Sequence, residues 1–532
     1  MVINVCTFAA EPIASVEVYA VAELTFTGPR QKATDSPARD IDFSVTFLHE
    51  DGKSRHVIHG FFDGDGKGGV SGDSFKVRFC PTRPGRWTLS EVKSSAPELK
   101  GEREGQFIIA RTSKRPGFWL ADAASAGGRW FKRSDGSHPY IVGNTQYSFL
   151  SGRKDQNQPS GVDIAADMAA NARYFKKVRF SLHGDRYVHP EAKPFLDDAG
   201  KPTDSGDFSH RPNPAWFHQR ADTAVAAAFE HDLIADLILA GPDTEESRST
   251  LRAGRNNGNP APWLKYIAAR YGSYPNVWIC LCNEYNIRTP TYSEREVAKF
   301  GEIIRSFLPY SSPLSVHASP PIVWADVFDT LPQWNTHQIV QKKLRTIGPS
   351  ADVMGVAWGV KAASPRHKPT INDELSYEGE GDKHTREDTV ESHLGAFLGG
   401  GYASTGYKAK NKIGHYFWGG FNPKEHTAAE SLKFLRQVID NSITFWNMAP
   451  SVSIFSGLDE EFRGMAWDGR EYVLGTNKPR QGLRAKLPPG QWKVTRHDII
   501  KRESEIIAED ANGDFRFDAP ESRAVLFHFK KY

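Results

Sequence analysis

The sequence predicts an α/β protein built as a central (β/α)8 TIM barrel flanked by N-terminal and C-terminal antiparallel β-sandwich domains. Three observations lead there. From Ile13 to about Ile109, short alternating runs are cut by Gly and Asp turns with no helical period. The middle of the chain then repeats strand, loop and amphipathic helix, and from about Met448 the text returns to turn-bounded strands. The length of 532 residues agrees, since roughly 150 residues per domain asks for about three. Boundaries are expected at 1–113, 114–447 and 448–532.

The first domain reads as VEVYAVAELTFTG, IDFSVTFLHEDGK, HVIHGFFDGDGKGG, SFKVRF and GQFIIA, a spacing that implies a sandwich of Ig-like size. ARTSKRPGFW, basic and carrying Pro116-Gly117, marks its end. The barrel strands follow in order as PYIVGNT, KKVRFSL, IADLILA, NVWICLC, PLSVHA, QWNTHQ, PTINDE and GGYAST. Helices are expected at PAWFHQRADTAVAAAFEHD, APWLKYIAARYG, SEREVAKFGEIIRSFLP and REDTVESHLGAFLGG, and AAESLKFLRQVIDNSITFW closes the series. A doubly wound sheet is the alternative, but no G-x-G-x-x-G follows an early strand, so neither a dinucleotide nor another cofactor is expected. MAWDGREYVLGTN, GLRAKLPPGQWKVTRHD and SRAVLFHFKKY supply the last sandwich.

Charge and composition exclude several functions. Lys and Arg total 67 against 64 Asp and Glu, and no basic stripe is interleaved with aromatics, so nucleic acid is not an expected partner. No run of about 18 apolar residues occurs, so a membrane partner is not expected either. The N-terminus lacks the cationic start of a secretory leader, and Cys6, Cys80, Cys280 and Cys282 are too few for a disulfide framework. The expected location is the cytoplasm. Nothing in the sequence fixes an oligomeric state, and a homo-oligomer stays open.

Barrels of this kind carry their chemistry at the C-terminal ends of strands. Two carboxylates stand there: Glu284, ending NVWICLCNEYN, and Glu374, ending KPTINDELSYEG, with Asp373, Glu378 and Glu380 as competing acids. His183, His317, Tyr147 after GNTQ and Gln338 ending QWNTHQ also fall near strand ends, within reach of a polar substrate. Cys280 and Cys282 form C-x-C, but two thiols without further ligands do not make a tetrahedral metal site; their parity points them, with Glu284, into the barrel. The cluster His183, Asp185, His189 and Glu191 fits a polar substrate wall better than a metal centre, and no metal is expected.

The run RYGSYPNVWICLCNEYN resembles the strand-four signature of the retaining glycoside hydrolase clan built on (β/α)8 barrels, and KPTINDELSYEG is similar to its strand seven. FFDGDG…FKVRF…PGRW…EGQF and LPPGQWKV…FDAPESRAVLF extend the resemblance to bacterial three-domain glycoside hydrolases with an N-terminal Ig-like domain and a C-terminal β-sandwich. The resemblance implies Glu284 as acid/base and Glu374 as nucleophile. It further implies that Asn283 binds a sugar 2-hydroxyl, Arg179 holds the Glu374 carboxylate, and Trp418 in HYFWGGF forms an aromatic platform. Double displacement requires carboxyls about 5–5.5 Å apart. GNTQYSF departs from the Gly-Asp-Thr of related barrels at this position. The expected activity is hydrolysis of short oligosaccharides or glycosides, one terminal unit at a time. An inactive carbohydrate-binding barrel and a transglycosylase using the same two glutamates are the alternatives.

Overall fold

The structure, a computed structural model, describes residues 11–147, 150, 163–182, 193–203, 211–241, 250–251, 259–287, 291–319, 334–362, 368–408 and 420–532. Alternating burial along Ala22–Gln31 shows how the first sandwich forms, with every second side chain turned inward. That strand, Gly72–Phe79 and Phe61–Phe62 make a three-stranded sheet facing a five-stranded one. The second sheet runs Ala14–Glu17, Phe107–Arg111, Gly85–Ser94, Phe43–His49 and Arg55–His59 in spatial order. Phe26, Val45, Phe47, Phe79 and Trp87 fill the space between them, with the Phe47 and Phe79 rings stacked at 4.0 Å.

A hairpin of Trp119–Asp122 and Trp130–Arg133 comes next, and its aromatics close the lower end of the barrel. Phe131 meets Trp278, near the start of strand four, at 4.6 Å between ring centres.

The barrel strands are Val142–Thr145, Lys177–Ser181, Ile234–Ala240, Val277–Cys282, Leu314–Ser315, Gln338–Val340, Thr370–Asn372 and Tyr402–Tyr407. All are parallel, and they lie in the order five, four, three, two, one, eight, seven, six. Strand five is tied to the start of six by Thr336, whose N–H donates to the Leu314 carbonyl at 2.9 Å while its hydroxyl accepts from the Leu314 N–H at 2.9 Å. The strands are buried on both faces, as a barrel sheathed in helices requires, so they read as near-continuous apolar runs. Each of the eight runs picked from the sequence contains all or part of one of these strands. Capping boxes start two of the surrounding helices, Ser293 with Glu296 before Glu294–Phe307 and Thr385 with Asp388 before Arg386–Leu398.

The last residues form a six-stranded and a three-stranded antiparallel sheet around Trp492, Phe517, Phe527 and Phe529. Both terminal sandwiches rest on the barrel. At the first joint Asp222 takes Arg78 at 2.6 Å and Arg270 at 2.7 Å, while Arg270 also reaches Asp63 at 2.8 Å. Burial opposes the Asp222 charge, but the Arg270 and Arg78 guanidiniums overcome it and hold its carboxyl well below the usual range. At the second joint Arg463 pairs with Asp352 at 2.8 Å and Arg523 with Asp388 at 3.1 Å.

Candidate active site

Strand four ends at Cys282, and the chain turns at once. The Asn283 N–H bonds back to Ala240 of strand three, and the Tyr285 N–H bonds to His317 beyond strand five. Between these two ties Glu284 is forced to φ 49°, in the left-handed region. For a residue with a Cβ that conformation costs roughly 1–2 kcal/mol and persists only where neighbours fix it. Strand seven ends in the same manner. The Asp373 N–H bonds to Val340 of strand six and the Leu375 N–H to Ser404 of strand eight, so Glu374 emerges between its neighbours at the same height.

Gln341, the residue past the end of strand six, brings the two acids together. Its Nε2 donates to Glu284 Oε1 at 2.7 Å and to Glu374 Oε2 at 3.1 Å. The two distances bound the separation of those oxygens at 5.8 Å. Both carboxylates are buried, with Glu284 at 9% and Glu374 at 6% exposure.

The other oxygen of Glu374 is held from strands one and two. The Tyr147 hydroxyl donates to Glu374 Oε1, Arg179 donates to the Tyr147 oxygen at 2.9 Å, and the Arg179 guanidinium lies 3.7 Å from Glu374 Oε1. Arg179 also donates to Asn283 Oδ1 and to His317 Nδ1, the latter at 2.7 Å. Burial, with the Arg179 charge, keeps His317 well below its ordinary pKa, so the ring is neutral and can accept from Arg179. Glu374 itself is raised to about 7. Burial is the main cause and the Glu284 charge adds to it, while Arg179 and the Tyr147 hydrogen bond pull the other way.

The competing acids have other partners. Asp373 points into the barrel, where Lys177 at 2.5 Å and Ser404 at 2.6 Å hold it. Glu378 accepts from the Thr427 hydroxyl and the Thr427 and Ala428 N–H groups at the start of the Ala428–Ser442 helix. Glu380 lies on the exposed surface. Of the four, Glu374 is the one facing Glu284.

Asn283, Arg179, His317 and Tyr147 therefore converge with the two glutamates. His183 and Trp418 lie outside the described residues, as does the rest of the His183–Glu191 cluster. Gln338 needs correction: it opens strand six rather than ending it, and its buried amide makes no hydrogen bond among the described residues. The run QWNTHQ ends at the residue where the strand begins, because the strand itself is only three residues long. Taking QIV as the strand leaves Gln341 at its end, and this is the functional side chain the sequence reading missed. Cys280 packs with Tyr147, Ile238 and Tyr377 inside the barrel, and no group of three metal-ligating side chains occurs among the described residues.

Two buried carboxylates within a few ångströms, one fixed by Tyr-Arg and both touched by one amide, are equipped for paired acid–base and nucleophilic chemistry. Residues 103–396, more than half of the chain, match the family described as "Apiosidase-like, catalytic domain", and residues 15–95 match a domain of unknown function, DUF5060. Among solved structures, a "putative glycoside hydrolase" from Bacteroides vulgatus ATCC 8482 superposes with a TM-score of 0.75 at 20% identity, covering 98% of this chain and 100% of that one. A glycoside hydrolase family 5 protein from the same organism gives 0.59 at 14% identity, over 78% of this chain and 94% of that one. A third structure, described as a glycoside hydrolase, gives 0.58 at 13%, over 78% and 97%. At these identities the likeness is one of fold. No curated protein matches the chain.

Proposed function

Because the chain belongs to the apiosidase-like family of catalytic domains and is on that ground a glycosidase, we propose that it works by double displacement on short glycosides. Glu374 Oε2 attacks the anomeric carbon while Glu284 gives its proton to the departing glycosidic oxygen. Glu284, now ionised, then takes a proton from water as that water displaces Glu374, and the sugar leaves with its original configuration. The observation that carries this reading is the 5.8 Å bound on the oxygens that Gln341 joins. An inverting pair needs about 6.5–9.5 Å to admit a water, whereas direct attack needs about 5–5.5 Å. The orientation of Glu374 supports it as well, since Oε1 is engaged by Tyr147 and Oε2 is the oxygen turned toward Glu284.

Release of one terminal unit is part of the proposal. Strand two ends at Ser181 and the next helix begins only at Pro214, and strand three ends at Ala240 with its helix beginning at Ala261, so two long stretches of sequence follow strand ends on the catalytic side. Long connections there are usually walls or lids. The test is a panel of aryl glycosides, with apiosides first because of the family's name, followed by NMR of the first-formed sugar. The retained anomer is expected, and initial appearance of the other anomer would remove the double displacement. Rapid internal cutting of a polymer would remove terminal action.

A further inference from the structure

The Gln341 amide occupies ground that the proposed reaction needs. An anomeric carbon poised for attack lies about 3–3.5 Å from the nucleophile, and the glycosidic oxygen about 2.6–3.2 Å from the acid. Gln341 Nε2 already stands 3.1 Å from Glu374 Oε2 and 2.7 Å from Glu284 Oε1. With those oxygens no more than 5.8 Å apart, sugar and amide compete for one space. We propose that Gln341 is a latch that the substrate displaces: its amide joins the two carboxylates in the free enzyme, and the entering sugar takes its place while the freed amide binds a sugar hydroxyl. The inference rests on the double-displacement reading for its second half only.

Two observations favour a moving side chain on a fixed backbone. The Asn372 side chain grips the next residue from both directions, donating to the Lys342 carbonyl at 2.9 Å and accepting from the Lys342 N–H at 3.3 Å. Gln341 Oε1 is buried and without a hydrogen-bond partner among the described residues, an arrangement that costs about 1–3 kcal/mol. A sugar hydroxyl would satisfy that oxygen once the amide has swung aside.

The latch also accounts for how two acids are tolerated so close together in the unliganded site. Glu374 is faced by Arg179 of strand two and by Tyr147, Glu284, His317, Lys343 and Tyr377, which lie beyond the ends of strands one, four, five, six and seven. Gln341 Nε2 donates one hydrogen bond to each carboxylate. Removing it takes a donor from the ionised form of Glu374 in the free enzyme and takes nothing from a complex in which the amide has already left.

The experiment compares Gln341→Leu and Gln341→Met with the unsubstituted enzyme on an activated aryl glycoside across pH. The acid limb of kcat/KM, which reports the free enzyme, should move up by roughly one pH unit, while the acid limb of kcat stays in place. Equal movement of both limbs, or of neither, would overturn the latch. A second measurement needs no variant: in the enzyme trapped with a 2-fluoro sugar, Gln341 Nε2 should no longer bridge the two carboxyls, and a persisting bridge overturns the idea. The carboxyl titration of Glu374, followed by carbon NMR without substrate, separates the two proposals. If Gln341→Leu raises that titration while Glu374→Ala keeps full activity, the free-state latch stands and the double-displacement reading falls.

Discussion

Glu374 meets opposed demands. Attack requires the carboxylate, but burial favours the acid, and the balance lies at about 7, above the roughly 4.3 of an exposed Glu. A folded pKa raised in this way contributes stability that is full below about 4.3 and is lost as pH rises through about 7. Glu374→Gln, neutral at every pH, should therefore be more stable than the parent at pH 8. At about 1.4 kcal/mol per unit the gain is about 4 kcal/mol, and it should vanish near pH 4. Thermal unfolding at the two pH values decides; a pH-independent difference would mean that the carboxylate is not destabilised by burial. The catalytic roles are separable on the same residues. Glu374→Ala should lose turnover even with good leaving groups, and added azide should give an inverted glycosyl azide. Glu284→Ala should keep the first step for such leaving groups and give a retained azide. The reverse pairing of configurations would exchange the two roles.

At the level of elements, the barrel strands present most of their chemistry one or two residues beyond their ends, as with Gln341 after Val340 and Glu284 after Cys282, and the accuracy of a strand boundary decides what is found there. Tyr147 stands beyond strand one and supports Glu374 from the side opposite Gln341. Hydrogen bonds to charged groups contribute roughly 1.5–3 kcal/mol, so Tyr147→Phe should lower kcat/KM about 10–100-fold and shift its acid limb upward. A change in KM alone, with kcat and the pH limb intact, would place Tyr147 in binding instead. The eight strands were legible because double-sided burial leaves apolar runs such as IADLILA and VWICLC between polar turns. The carboxylates were legible because a polar pair stands out where such a run ends. Gln341 was not: it follows a strand of three residues, Gln338–Val340, too short to show a period. The left-handed turn at Glu284 was hidden for another reason, since backbone bonds to strand three and to the chain beyond strand five impose it and no local residue announces it.

Across the whole molecule, the sandwich–barrel joint sets a buried charge network beside the apolar packing of Phe61 and Ala38 on the barrel. Arg78 from the first sandwich and Arg270 from the barrel, both buried, share the carboxylate of Asp222, and Arg270 adds Asp63. Such a network has a large desolvation cost, so it tolerates the loss of a member poorly while contributing little beyond what apolar packing could supply. Asp222→Ala would leave two guanidiniums facing one another out of water with one carboxylate fewer between them. Breaking a buried pair from one side costs about 3–5 kcal/mol, a large share of a typical domain's stability. The expected result is a marked fall in Tm with turnover per folded molecule unchanged, since the Asp222 side chain joins Arg78 and Arg270 and touches neither glutamate. The sign of its pH dependence is opposite to that of Glu374. A depressed pKa contributes stability that is fully present above about 3.9 and is lost as pH falls toward the depressed folded value, so the gap between parent and Asp222→Ala should be widest at neutral pH and narrow once pH drops below about 3.9. Unfolding monitored from pH 7 to pH 3 tests this, and a gap that stayed constant would show that packing, rather than the shared carboxylate, holds the sandwich to the barrel.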